Sequence, residues 1–179
     1  MTDSHSSVEA PSVWVTRWAH LVPRGGRVLD VACGHGRHAR WFAARGHPVD
    51  AVDRNAGALA SLAGVANITT RCADIEAGAW PYTAHSYHGV VVTNYLHRPL
   101  FAHVLNALAP GGVLIYETFA LGNERFGRPS NPDFLLKPGE LLQVVRGRLA
   151  VHAYEELEVQ TPRAARLQRI CAGDATCRD

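Results

Sequence analysis

Val28-Leu29-Asp30-Val31-Ala32-Cys33-Gly34-His35-Gly36-Arg37-His38-Ala39 is the stretch that decides how this chain is read. Val28, Leu29 and Val31 have the character of a buried strand end, and Asp30 sets a carboxylate at its tip. Gly34 and Gly36 let the backbone turn tightly against a ligand before a helix begins. Strand, acid, glycine turn and helix, in that order, frame a nucleotide-type cofactor site.

Outward from that turn, apolar runs alternate with helical patterns, the mark of an α/β domain with a mostly parallel sheet. Residues 11–22 read as a first helix, with Pro11 at its start and Val13, Trp14, Trp18, Leu21 and Val22 at helical spacing. Pro23-Arg24-Gly25-Gly26 breaks it. Strand 27–31 follows, then the glycine turn and a helix to about Arg45. Strand 48–52 ends at Asp53, and Asn55 is placed to cap an alanine-rich helix that stops near Gly64. Strands are expected at 67–72, 88–93 and 113–119. The helix after the second of these presents Leu100, Phe101, Val104, Leu105 and Leu108 as one stripe. Residues 120–137 interrupt the alternation with several glycines and prolines. Such a loop is long for a compact domain, which makes it a candidate lid. A helix near 139–146 and two strands, 149–159 and 165–171, complete the pattern. The short turn at Thr161-Pro162 makes the last pair an antiparallel hairpin.

Composition bounds the function. The 179 residues suit one domain with one continuous core, read as residues 11–179 behind a flexible segment 1–10. A hydrophobic share of 47% beside 19% charged residues belongs to a globular protein. A net charge of +2 gives no electrostatic case for nucleic acid as the main partner. No apolar run approaches the roughly 20 residues of a membrane helix, and Met1 to Glu9 lacks the pattern of a signal peptide. Cys33, Cys72, Cys171 and Cys177 form no Cys-x-x-Cys pair, so reduced thiols and a cytoplasmic location are expected and no metal is assigned. The ten histidines show no metal-helix spacing.

In an open α/β sheet, ligands bind beyond the carboxyl ends of the strands. Here those ends carry Asp30, Asp53, Asp74 and Asn94, all directed at one rim. Asp53 follows Gly34 by nineteen positions, the distance at which an acid on the second strand grips two ribose hydroxyls. Asp74 is placed to accept from an adenine amino group, with the Ile75 amide facing a ring nitrogen and Arg54 and Ile75 flanking the ring. The carboxylate of Asp30 would repel the pyrophosphate of a dinucleotide, whereas the ammonium and sulfonium of S-adenosylmethionine are both cationic. The residues therefore favour S-adenosylmethionine.

With those residues in place, the chain resembles the class I S-adenosylmethionine-dependent methyltransferases over nearly its whole length. The run Leu-Asp-Val-Ala-Cys-Gly-His-Gly-Arg-His-Ala is similar to the small tellurite-resistance-type branch, in which Ala32 and Cys33 stand where a loop glycine is usual. The resemblance implies a Rossmann-like seven-stranded sheet, mostly parallel, closed by the antiparallel hairpin and covered by helices on both faces. It also implies methionyl contacts from Ala32, Cys33, Gly34 and Gly36, ribose contacts from Asp53 and adenine contacts from Asp74 and Ile75.

Methyl transfer is an in-line displacement at an activated carbon, so alignment and desolvation supply most of the acceleration and no dedicated catalytic residue is required. A base is needed only for an acceptor that arrives protonated. The segment Asn94-Tyr95-Leu96-His97-Arg98 differs from the Asn/Asp-Pro-Pro-aromatic motif of enzymes that methylate base amino groups. Tyr95, His97 and Glu117 are the candidate catalytic groups. His97 reads equally as a helix-start histidine bonded to backbone, and Glu117 as the partner of an arginine from the following loop. Arg125, Arg128 and Asn131 in the candidate lid are the candidate substrate contacts, because guanidinium forks suit anions. Trp14, Arg17 and Trp18 offer a further wall, although aromatics at helical spacing commonly anchor a core. The expected acceptor is a small molecule. The competing readings are an S-adenosylmethionine-binding protein without turnover and a nicotinamide-dependent oxidoreductase, the latter opposed by Asp30, the hairpin and the poor third-glycine match. A protein or RNA acceptor has no added recognition domain in its favour.

Overall fold

The structure is a computed structural model that describes residues 9–174. Its centre is one seven-stranded sheet, built from β1 (Val28–Val31), β2 (Val49–Asp53), β3 (Ile68–Cys72), β4 (Tyr87–Thr93), β5 (Leu108–Phe119), β6 (Ala150–Val159) and β7 (Ala165–Gly173). The spatial order is β3-β2-β1-β4-β5-β7-β6. The first five strands run parallel, while β7 lies antiparallel between β5 and β6. Strand order therefore reverses between β1 and β4, which opens a crevice above their carboxyl ends.

The helices are α1 (Val13–Trp18), α2 (Arg37–Ala43), α3 (Ala56–Ala60), α4 (Phe101–Ala107) and α5 (Glu140–Val145). Side chains alternate across each strand, so the sheet feeds two cores. On one face Val28, Val49, Ala51, Val91 and Ile115 pack against Trp14 and Val15 of α1, Phe42 of α2 and Leu59 of α3. On the other, Leu29, Val31, Val90, Val92 and Leu114 pack against Val104 and Leu105 of α4 and Leu141 and Val145 of α5. The central strands are buried on both faces, which explains why they read as continuous apolar runs.

Several boundaries differ from the sequence expectation for local reasons. The first helix stops at Trp18 and continues as a 3-10 turn, Ala19–Leu21; it is capped by Ser12, whose hydroxyl accepts from the Trp14 amide. The second helix ends at Ala43, because Arg45 and Gly46 already bond back to Phe42 and Ala43 in turns. β5 begins at Leu108 rather than 113. Leu108 pairs with Tyr87, and the strand then shifts register before Val113 pairs with Gly89. Asn55 does cap α3, accepting from the Ala58 amide at 3.1 Å. Cys33, Cys72 and Cys171 are free thiols, while Cys177 lies outside the described residues. No helix among the described residues is long and apolar enough to cross a membrane.

The turn from β1 into α2 carries the tightest local demand. Ala32, Gly34 and Gly36 have φ of 53°, 55° and 71°, in the left-handed region that side chains with a Cβ enter at a cost of roughly 1–2 kcal/mol. A Cβ at Gly36 would also lie 2.6 Å from both methyls of buried Leu62, whereas one at Gly34 would meet nothing within 4 Å. Gly36→Ala should therefore lower stability in urea denaturation by about 2 kcal/mol or more, and Gly34→Ala by only about 1 kcal/mol. Equal losses would show that packing against Leu62 contributes nothing.

Candidate active site

A cavity of about 360 Å³ sits above the carboxyl ends of β1, β2, β4 and β5. Seven of the residues singled out from the sequence line it: Ala32, Asp53, Arg54, Asp74, Ile75, Asn94 and Tyr95. Ala73, Glu76, Leu96, Thr118, Phe119, Pro129 and Phe134 complete the wall. Such a volume is at the lower end of the usual range for small-molecule pockets, roughly 300–1,000 Å³.

Local backbone chemistry positions each acid. Asp53 closes β2, and its two oxygens divide their work: Oδ2 accepts from the Gly34 amide and Oδ1 from the Asn55 amide, both at 2.8 Å. The first of these bonds ties the glycine turn to the neighbouring strand. Asp74 Oδ1 accepts from the Glu76 and Ala77 amides at 3.0 and 3.1 Å, and these bonds hold its carboxyl below the usual carboxylate range. Asn94 ends β4 in the left-handed region with φ 54°, and its amide donates to the Glu117 carbonyl at 2.9 Å. Ala32 and Asn94 thus leave adjacent strands in the same unusual conformation, on either side of the crevice.

Asp30 is not part of the cavity wall. Its side chain lies beneath the glycine turn, 1% exposed, and accepts from the Ala39 amide of α2 at 2.9 Å. Burial pushes its carboxyl up to about 7, with Asp53 adding to the shift and the Ala39 amide and the Arg37 charge opposing it. Cys33 is buried in the same turn, and burial pushes its thiol up. Gly34 and Gly36 shape the turn without lining the cavity.

The three acid-base candidates part company. Tyr95 lines the cavity; burial and the neighbouring Glu76 carboxylate raise its phenol, which stays protonated. Its carbonyl accepts from the Tyr116 hydroxyl at 2.8 Å, which fixes the strand exit. His97 stands outside the wall, its Nδ1 3.8 Å from Glu76 Oε2. Glu117 points to the opposite face of β5 from Thr118. There it accepts from the Ser12 hydroxyl at 2.6 Å and from Arg169 Nη1 at 3.0 Å. Its arginine partner comes from β7 rather than from the following loop. Arg169 also bonds Glu155 at 2.7 Å and lies over the Trp14 ring at 5.1 Å. Trp14 is a core anchor whose indole N–H donates to the Ile170 carbonyl, and Arg17 pairs with Glu155.

Segment 120–137 borders the cavity through Pro129 and Phe134. It is tied down at its base, where buried Asn123 donates to the Pro129 carbonyl and accepts from the Arg166 amide. Arg98 secures its other end, bonding Glu140 through Nε and Nη2 and reaching the carbonyls of Asp133 and Leu135 at 2.8 and 2.9 Å. Arg125 is directed to Glu158 on β6 and lines neither the cavity nor its mouth. Arg128 and Asn131 stand at that mouth, where Asn131 Oδ1 accepts from the Asp133 amide at 3.0 Å.

Against known proteins, residues 28–112 match the family described as a methyltransferase domain. The sequence matches no curated protein. Among solved structures, TehB from Haemophilus influenzae superposes with a TM-score of 0.78 at 20% identity, over 94% of this chain and 64% of that one. This chain thus spans somewhat under two thirds of that protein's length. A TehB-like S-adenosylmethionine-dependent methyltransferase from Corynebacterium glutamicum gives 0.66 at 18% identity, over 90% and 86% of the two chains. A 1,6-didemethyltoxoflavin-N1-methyltransferase from Burkholderia thailandensis, solved with that compound and S-adenosylhomocysteine, gives 0.65 at 18% identity over 90% and 76%. Residues 28–112 thus match a methyltransferase domain, and the whole chain shares its fold with S-adenosylmethionine-dependent methyltransferases of known structure.

Two buried groups near the start of α2 act oppositely on stability. Asp30 keeps a proton in the folded state from its ordinary value of 3.8 up to about 7, so its contribution falls as pH rises through that window. His38 is buried; its Nε2 accepts from the Ser12 amide, and burial and the Arg37 charge push it down to about 3. The unfolded chain takes up a proton below 6.5 that His38 refuses, so this contribution rises with pH between about 3 and 6.5. Asp30→Asn should therefore steepen the rise of stability with pH in this range, and His38→Gln should turn it toward a decline. Urea denaturation from about pH 4 to pH 6.5 reads both; parallel profiles for wild type and variants would contradict the assignment.

Proposed function

We propose that this protein transfers the methyl group of S-adenosylmethionine to a small-molecule acceptor. One observation carries the reading: a single cavity joins Asp53, Asp74 and Ile75 at one end to Asn94, Tyr95 and Phe119 at the other, and opens to solvent beside Phe134. The donor set suits the cofactor. Asp53 has lone pairs left for two ribose hydroxyls after accepting from Gly34 and Asn55, and the Asp74 Oδ2 oxygen is available to an exocyclic amine. Arg54 and Ile75 flank the place for the adenine ring. The turn from Ala32 to Gly36 would receive the methionyl end. When bound, this cofactor supplies a methyl carbon activated by a sulfonium.

The protein's own part is to orient and to exclude water. Asn94 and Tyr95 would fix the reacting end, while Thr118, Phe119 and Leu96 provide dry walls. Of the acid-base candidates we retain Tyr95 as an acceptor contact. Glu117, saturated by Ser12 and Arg169, and His97, outside the wall, serve the scaffold. Segment 120–137 acts as the acceptor-side border, held by Arg98. A small acceptor is supported by the modest cavity volume of about 360 Å³ and by the Burkholderia neighbour, solved with 1,6-didemethyltoxoflavin bound. We place the reaction in the cytoplasm, in one domain, without a nucleic-acid partner.

Calorimetry with S-adenosylmethionine and S-adenosylhomocysteine tests the cofactor, and failure of both to bind would refute the reading. Asp53→Ala should weaken that binding by about 1–3 kcal/mol through lost charge-assisted hydrogen bonds. Arg98→Ala should leave cofactor affinity within about twofold and raise the acceptor KM, because it frees the loop that carries Phe134. An unchanged KM would remove the loop from the acceptor site.

A further inference from the structure

A second recess of about 490 Å³ continues from the cofactor cavity, sharing Asn94, Phe119, Pro129 and Phe134 with it. Its far wall holds Arg128 and Arg163, together with Ser130 and Asn131. Arg128 comes from segment 120–137 and Arg163 from the turn between β6 and β7, so two separate loops bring an arginine each to one recess. Elsewhere Arg98, Arg125, Arg166 and Arg169 are all held in ion pairs with glutamates. Among the described residues Arg128 and Arg163 have no carboxylate partner, and no acidic side chain lines the recess. Unpaired cations on one wall of a concave site are a receptor for an anion.

The shared wall adds a second requirement. Phe134 is 53% exposed, which is unusual for a phenylalanine on a folded domain, and it lines the recess together with Phe119, Asn94 and the two arginines. Two aromatic side chains and Pro129 bordering a recess favour a flat, unsaturated body over a hydrated one. Resting on the methyl-transfer reading above, we propose that the recess binds the acceptor as a planar aromatic or conjugated carboxylate. Its carboxylate is held by Arg128 and Arg163, its ring lies against Phe119 and Phe134, and its nucleophilic atom is directed past Asn94 into the cofactor cavity. A single carboxylate fits the two forks. In the transfer, the acceptor's heteroatom forms the new bond to the methyl carbon as the carbon–sulfur bond breaks. That bond's electron pair stays on sulfur, leaving a neutral thioether, and the acceptor's proton passes to water.

The test titrates the protein loaded with S-adenosylhomocysteine with hydroxy-, amino- and mercaptobenzoates and the matching cinnamates, each against its neutral carboxamide. At least one acid should bind tenfold or more tightly than its amide and accept labelled methyl from S-adenosylmethionine. Arg128→Ala and Arg163→Ala should each cut the preference for the acid tenfold or more while leaving S-adenosylhomocysteine affinity within twofold, and Arg128→Lys should retain part of it. Acids and amides binding alike to the loaded protein, neither binding, or a preference that survives both alanine variants would overturn the proposal. Failure of S-adenosylhomocysteine itself to bind is the separate result that refutes the methyltransferase reading, and this one with it.

Discussion

The bond from the Gly34 amide to Asp53 Oδ2 is the contact on which the site depends. It joins the turn after β1 to the end of β2, beside a second link from the Cys33 amide to the Val52 carbonyl. Between them these bonds hold a backbone in which Ala32, Gly34 and Gly36 all take left-handed angles, a conformation that survives only when its surroundings over-determine it. Asp30 completes the clamp from below by holding the Ala39 amide at the start of α2. One acid therefore faces the cavity while the other lies beneath the turn. Across the crevice Asn94 bends away from β4 with a similar angle, and the two departures leave the space between β1 and β4 open to a ligand.

Charge is distributed around this centre so that most ionic side chains stabilise the scaffold. Arg169 joins Glu117, Glu155 and the face of Trp14, which locks β5, β6 and β7 to the first helix. Arg98 does the equivalent on the other face, tying the exit of β4 to Glu140 and to the loop at Asp133 and Leu135. These pairs are partly buried, so each arginine is ordered by several bonds at once, and removal of one would strand a carboxylate in a poor solvent. A glutamate or histidine near such a cleft need not be chemical machinery. Here Glu117 is occupied by its neighbours, and His38 stays neutral as an acceptor for the Ser12 amide.

Much of the cavity wall at the ends of β2, β3 and β4 was legible along the chain because its signals are local. A strand end, an acid and a glycine turn occupy consecutive positions, and Asp53, Asp74 and Asn94 each follow an apolar run whose end marks the rim. Parallel strands buried on both faces leave little freedom in where those ends lie. The wall formed by segment 120–137 was less legible. Arg125 and Arg128 are three residues apart in one loop, yet Arg125 turns to Glu158 while Arg128 meets Arg163 from a different loop. Phe134 and Pro129 carried no periodic pattern to mark them as walls. Thr118 and Glu117 are neighbours on β5 with opposite destinies, decided by which face each side chain takes.

The sequence by itself determined the class of fold, the order of the strands along the chain and that Asp53 and Asp74 stand at the rim of the cavity, because hydrophobic periodicity and turn chemistry act over a few residues. Only the tertiary structure decided that Asp30 is buried under the turn rather than facing the cavity, that Glu117 is held by Ser12 and Arg169, and that Arg163 joins Arg128 beside Phe119 and Phe134. Those outcomes depend on contacts between segments distant in sequence, where packing and charge pairing choose among partners that no local pattern distinguishes.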